Sequence, residues 1–265
     1  MSDPRPAARR WNESLQQWGI PQHILEQAPT SPWVHAPAMF RSGVDDPSDT
    51  PSMGRARAAL RALGGGTVLD VGCGGGRSSL PLAPDATSVI GVDHQPAMLE
   101  QFSEAARTRG VEAQTVLGHW PAVAGDTPVA DVAVCHHVVY NVGDIEPFVR
   151  ELDAHARVLV VVELTSVHPQ SSLGPLWRRF WDLDRPSSPT ADDFVAVVRD
   201  LGHDPLVDRW RRDERPAPMT TAERVANLRV RLCLPADRDP EIEAEIAATP
   251  LLSPDDVVTV SWSPS

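Results

Sequence analysis

The chain of 265 residues contains no lysine, and all 24 of its cationic side chains are arginine. That absence excludes a Schiff base on a lysine amine and any phosphate loop built around lysine. Cysteine is scarce too. Cys73, Cys135 and Cys233 are odd in number, widely separated and never in a Cys-x-x-Cys pair, so neither a disulfide framework nor a zinc site is indicated, and a reducing compartment fits. Positive charge is in deficit, with a formal net charge of -12. This disfavours a nucleic-acid partner, because neutralising phosphates requires surplus cations. The densest cationic stretch, Arg209, Arg211, Arg212 and Arg215, is interrupted by Asp208, Asp213 and Glu214 and reads as a solvated strand end. No run approaches the roughly 18 apolar residues of a membrane span, and Met1 to Arg10 has no apolar centre of a secretion signal. A cytoplasmic protein without a membrane partner is expected.

What is present is ordinary globular composition, 42% hydrophobic and 23% charged, in a length that accommodates one large α/β domain with an appended segment. Residues 1–50 read as an N-terminal helical cap or lid. Trp11, Leu15 and Trp18 fall on one helical face, and Pro21 opens a second turn carrying Ile24 and Leu25. Thr50 and Pro51 are an N-cap and first position for a helix through Leu63, stopped by Gly64 to Gly66. From Thr67 onward short apolar runs alternate with helical segments, the pattern of a parallel sheet covered on both faces. Strands are predicted over 68–71, 88–92, 113–117, 130–136 and 157–162, then 206–210 and 257–262. Helices are predicted over 96–109, 145–154, 173–181, 191–201 and 221–233. The fold class is therefore α/β, a Rossmann-like doubly wound sheet of seven mostly parallel strands. The last strand is antiparallel, within a domain spanning 51–265 that carries a cap insertion at about 165–190.

The strongest motif is Val68-Leu69-Asp70-Val71-Gly72-Cys73-Gly74-Gly75-Gly76-Arg77, a strand entering a glycine turn with a helix expected beyond it. Glycines there let a ligand approach bare backbone, and a following helix would offer free N–H groups. A dinucleotide fingerprint needs a third glycine where Arg77 stands. Asp70 would oppose a pyrophosphate but favour a cationic group. Asp93 closes the next strand, where such folds place a carboxylate against ribose hydroxyls.

These residues resemble the class I S-adenosylmethionine-dependent methyltransferases over roughly Met53 to Glu163. The resemblance implies S-adenosylmethionine as cofactor and a methyl group transferred in line to an oxygen, nitrogen or carbon of a small organic acceptor, apolar or aromatic in character. It places Asp70, Gly72, Cys73, Gly74, Gly76, Asp93 and His94 around the cofactor. Where the family often carries an acid after the third strand this chain has His119, followed by Trp120 as a stacking group for adenine. Cys135 and His136, at the end of the fourth strand, would flank the amino acid portion.

The fourth strand runs out in Cys135-His136-His137-Val138, unlike the Asn/Asp-Pro-Pro-Tyr/Phe signature of base amino-methyltransferases. His137 is a candidate general base, with Tyr140 or His168 as orienting or alternative groups. No metal is expected, since adjacent strand residues point to opposite faces and Glu163 alone offers a carboxylate there. Trp11, Trp18, Trp33 and Phe40, and opposite them Trp177, Phe180 and Trp181, either wall an acceptor pocket or pack as core. Two other functions stay open: an NAD-dependent oxidoreductase on a Rossmann fold, and a non-catalytic S-adenosylmethionine-binding protein.

Overall fold

A computed structural model describes residues 5–32, 50–212, 220–248 and 256–265. Trp33, Phe40 and Arg215 lie outside the described residues. Seven strands form one sheet in the order β3-β2-β1-β4-β5-β7-β6. They are β1 (Gly66–Val71), β2 (Ala86–Asp93), β3 (Glu112–Leu117), β4 (Ala130–His136), β5 (Ala156–Thr165), β6 (Leu206–Arg211) and β7 (Asp256–Trp262). Neighbours from β3 through β5 are parallel, and β7 inserts between β5 and β6, antiparallel to both. The late pair foreseen in the sequence exists, but its last strand lies inside the sheet and β6 is the edge.

The helices are α1 (Pro6–Gln16), α2 (Gln22–Leu25), α3 (Pro51–Leu63), α4 (Pro96–Arg109), α5 (Ile145–Ala154), α6 (Gly174–Trp181), α7 (Ala191–Asp200), α8 (Thr221–Arg231) and α9 (Asp239–Ala248). Thr50 caps α3 by accepting from the Met53 N–H, and Gly64 ends it in the left-handed conformation. Alternation along the central strands divides the core. Leu69, Val71, Ala133, Cys135, Val160 and Val162 face α5 and α7, whereas Val68, Val132, Val134 and Val161 face α3 and α4.

One departure from the sequence reading matters for the site. No α-helix follows the glycine turn. Pro81 and Pro84 leave room only for a single 3-10 turn, Leu80–Leu82, so the turn has no helix N-terminus behind it. Residues 5–32 of the N-terminal segment are anchored, the packing alternative that the sequence left open. Trp11 is fully buried in the main core, its indole N–H donating to the Val142 carbonyl at 2.8 Å and its ring stacked on Tyr140. Trp18 donates to the Ser188 carbonyl at 2.7 Å and stacks on His168 with ring centroids 3.8 Å apart. Trp177 packs with Ile20, Ile24, Leu176, Leu228 and Leu232 in a separate apolar cluster formed by α2, α6, α8 and α9. Among the described residues no helix is long and apolar enough to cross a membrane.

Candidate active site

In a doubly wound sheet the loops beyond the carboxyl ends of β1, β2 and β4 converge, and the glycine turn lies there. Gly72, Gly74 and Gly76 have φ of 75°, 49° and 83°, in the left-handed region where a side chain costs energy. A Cβ on Gly72 would sit 2.3 Å from Val138, and one on Gly76 2.4 Å from Leu80, whereas a Cβ on Gly74 would meet open space. Gly72 and Gly76 are thus demanded by packing, and Gly74 by its conformation on the open side where a ligand can reach backbone. The Gly74 N–H donates to Asp93 Oδ2 at 3.0 Å, and Oδ1 accepts from the Gln95 N–H at 2.9 Å. Each oxygen keeps a further lone pair for a ribose hydroxyl.

Asp70 is fully buried beneath the turn. Ser79 Oγ donates to its Oδ2 at 2.6 Å while Oδ1 has no partner. Burial, opposed by the Ser79 hydrogen bond and reinforced by Asp93, pushes its pKa up to about 7. An orphaned acidic oxygen under an open glycine turn, with a second carboxylate at its rim, fits a cationic amino acid and ribose better than a pyrophosphate. The lack of a helix N-terminus points the same way.

Several residues assigned to the cofactor from sequence face elsewhere. The Cys73 thiol turns inward beside Gly91 and burial pushes its pKa up. Cys135 lies wholly in the core against α5 and α7. Trp120 does not offer its face to adenine: its indole N–H donates to the Phe148 carbonyl at 3.2 Å and its edge meets His155. At the ends of β2 and β3 the exposed imidazoles of His94 and His119 stack on each other, centroids 4.6 Å apart, beside Asp93. They form the aromatic surface there.

Two of the three proposed catalytic side chains are packing groups. Tyr140 is buried and donates its hydroxyl to the Thr165 carbonyl at 2.8 Å; burial pushes its pKa up, so it neither accepts a proton nor orients His137. His168 lies between Trp18 and Tyr140, with Nδ1 accepting from the Gln170 N–H at 3.2 Å. Burial and the Arg185 cation hold its pKa down to about 4.

His137 is different. It leaves β4 at φ 60°, an uncommon conformation for a residue with a Cβ and one concentrated at functional sites. Its N–H donates to the Glu163 carbonyl at 2.7 Å, and its Nε2 lies 3.0 Å from Glu163 Oε1. His136, still in strand register opposite Glu163, brings Nδ1 within 3.8 Å of the other carboxylate oxygen. The expectation that these neighbouring histidines diverge is therefore overturned: the left-handed turn at His137 swings its ring back, and both converge on one acid. Burial works against charge on Glu163, but His136, His137 and the Ser52 hydroxyl hold its carboxyl well below the usual range. Burial meanwhile pushes His136 down, toward the neutral form. Arg212 completes the cluster, with Nη2 2.6 Å from His137 Nε2 and 3.9 Å from Glu163 Oε1. Val138, the next residue, is the one that packs on Gly72, so this cluster adjoins the cofactor turn directly.

Glu163 and Arg212 were not singled out as site residues from sequence. Glu163 ends the apolar run of β5 at the same sheet edge, where the sequence reading weighed its carboxylate only as a metal ligand. Arg212 was read as part of a solvated strand end, which Arg209, paired with Asp192, and Arg211 bear out; among the described arginines of that stretch Arg212 alone turns inward.

The strand order and the turn define an α/β enzyme that binds a nucleoside-bearing cofactor at the carboxyl edge of its sheet. Residues 68–159 match a family model described as a methyltransferase domain. A ubiquinone biosynthesis O-methyltransferase of Rhizobium rhizogenes is 28% identical over 181 residues, covering 60% of this chain and 72% of that protein. One of the same description from Rhizobium etli is 36% identical over 99 residues, covering 37% of this chain and 39% of that protein. Apart from the first, the chain spans little more than a third of the length of these relatives. Among solved structures, an S-adenosylmethionine-dependent methyltransferase of Thiobacillus denitrificans in complex with S-adenosylhomocysteine superposes with TM-score 0.52 at 20% identity, covering 92% of this chain and 98% of that one. The magnesium protoporphyrin IX methyltransferase of Synechocystis superposes with TM-score 0.51 at 15% identity, covering 81% and 82%. Residues 68–159 thus form a methyltransferase domain, on a sheet that shares the fold of the Thiobacillus denitrificans enzyme. Neither the nicotinamide reading nor the non-catalytic one gains support from these relatives.

Proposed function

We propose that the protein methylates a hydroxyl oxygen of a small organic acceptor, with His137 as the proton-accepting group and Glu163 positioning it. The observation that carries this reading is the convergence of a left-handed His137 on a buried carboxylate beside the glycine turn. When bound, S-adenosylmethionine supplies an electrophilic methyl on a sulfonium. The Gly72–Gly76 turn and Asp93 hold that cofactor, and the stacked His94 and His119 meet its base. Glu163 accepts a hydrogen bond from the Nε2 proton of His137, which leaves the lone pair of Nδ1 for the acceptor hydroxyl. As the acceptor oxygen takes up that methyl group, Nδ1 of His137 would take the hydroxyl proton. Much of the acceleration in such a transfer comes from alignment of nucleophile, carbon and leaving group. The O-methyltransferase description of the relatives supports oxygen over nitrogen or carbon.

In our reading residues 5–32 of the N-terminal segment and the insertion at about 165–190 form the cap over this edge. The hydrogen bond from Trp18 to Ser188 and the Trp18–His168 stack support it, since they tie the two segments together. The first test is calorimetric titration with S-adenosylmethionine, S-adenosylhomocysteine and NAD in parallel, followed by labelled-methyl transfer to a panel of phenols and hydroxy acids. Micromolar binding of the first two and label in an ether product support the proposal, whereas a methyl ester, formed at a carboxylate with no proton to give, does not. Binding of NAD alone, or label on carbon or nitrogen, overturns it.

A further inference from the structure

The contacts of His137 contain a contradiction in proton accounting. A guanidinium has five N–H donors and no lone pair, so Arg212 Nη2, 2.6 Å from His137 Nε2, must donate to that nitrogen. Nε2 is then unprotonated and the ring proton sits on Nδ1. Yet Glu163, an ionised carboxylate that only accepts, stands 3.0 Å from the same Nε2 and calls for a proton on it. A neutral imidazole cannot satisfy both neighbours through one nitrogen. Arg212 and Glu163 therefore select opposite tautomers. With Arg212 engaged, Nδ1 carries the proton and has no lone pair to offer. With Arg212 withdrawn, Nε2–H donates to Glu163 and Nδ1 becomes the base.

Arg212 is free to make that move. Its side chain is 33% exposed, and its separation of 3.9 Å from Glu163 Oε1 is an ion pair rather than a hydrogen bond. Glu163 retains His136, His137 and Ser52 as stabilising neighbours without it. What would draw the guanidinium away is another anion, and its planar fork matches a carboxylate through two parallel hydrogen bonds. An anion approaching a protein of net charge -12 also needs a local cation at its landing point.

We propose that Arg212 anchors a carboxylate of the methyl acceptor, making the substrate class a small hydroxylated carboxylic acid, and that this anchoring switches His137 into its basic tautomer. The inference rests on the base assignment to His137 made above. It couples recognition to chemistry: an uncharged molecule in the same place would leave Arg212 on Nε2 and the base disarmed.

The experiment uses the full-length protein labelled with nitrogen-15 and saturated with S-adenosylhomocysteine, with benzoate as the carboxylate probe and benzyl alcohol as its neutral counterpart. His137 nitrogen signals are assigned by their loss in His137→Asn. The expected result is a protonated Nδ1 and bare Nε2 before addition, exchanged by saturating benzoate and untouched by benzyl alcohol. Arg212→Gln should show the exchanged form from the start and ignore benzoate. The proposal is overturned if benzoate leaves the signals unmoved, if benzyl alcohol moves them equally, or if Arg212→Gln responds as the parent does. Should S-adenosylhomocysteine fail to bind, the cofactor reading falls, and the same titration without it still decides the role of Arg212.

Discussion

At the scale of single residues the site depends on three side chains in unusual surroundings. Asp93 holds the glycine turn through the Gly74 N–H and is the residue proposed to meet the cofactor ribose. Its replacement by alanine should weaken S-adenosylhomocysteine binding by about 1.5–3 kcal/mol through lost charge-assisted hydrogen bonds, read by calorimetry on protein whose unfolding shows it folded. Unchanged affinity would remove the ribose assignment. Asp70, raised from 3.8 to about 7 by burial, has a signature in pH. Between about pH 4 and 7 the unfolded chain has released this proton and the native state keeps it, so unliganded stability falls across that window and levels off above it. At about 1.4 kcal/mol per pH unit the full span is on the order of 4 kcal/mol. Asp70→Asn should flatten that part of the stability profile in urea titrations, and a profile identical to the parent's would show that Asp70 ionises normally. His137 combines strain with its proposed role as base. A left-handed residue with a Cβ costs on the order of 1 kcal/mol. His137→Gly relieves that strain but removes a partner of the buried Glu163, so stability should change by less than about 2 kcal/mol while methyl transfer collapses; equal loss of both would mean the histidine is structural.

At the scale of elements the question is whether α1 and the turn before α6 are core or cover. Trp11 is fully buried against Tyr140 and Phe194, so Trp11→Ala should cost about 3–5 kcal/mol in chemical denaturation. A cost below about 1 kcal/mol would make α1 a loose lid. Further along, the Trp18–His168 stack supplies an acid-sensitive latch. Burial first, then Arg185, lowers the folded pKa of His168 from 6.5 to about 4. As pH falls through that interval the unfolded chain takes up a proton that the native state refuses, and stability is lost. Trp18 fluorescence should shift to longer wavelength on acidification toward pH 4. His168→Phe, which keeps the stack without a titrating group, should abolish that shift. The element boundaries themselves were legible where local chemistry writes them. Thr50, Pro51 and Gly64 bracket α3 as foreseen. Helix α9 went unread because Ile242 and Ile246 are its sole buried residues among acids, a stripe too thin to register as periodicity.

At the scale of the whole molecule, the sequence alone determined the alternation of strands and helices, the glycine turn and its two acids. Each follows from local rules: apolar runs of strand length, caps, and backbone conformations that glycine alone adopts cheaply. Tertiary structure decided the rest. That β7 lies between β5 and β6 is a matter of pairing over long chain separations, which no local pattern encodes. Whether a tryptophan is core or pocket wall depends on what packs against it, and Trp11, Trp120 and Trp177 all proved to be packing residues. The Asp-x-Gly-x-Gly string pointed to a helix that Pro81 and Pro84 then prevented. Strand alternation predicted that His136 and His137 diverge, because it assumes that the strand continues. The strand ends at His136, the next residue turns left-handed, and Glu163 from β5 and Arg212 from beyond β6 meet it there. Only a folded sheet brings residues 136, 163 and 212 to one edge, and so only the fold could assemble the histidine, the acid beside it and the cation that competes for it.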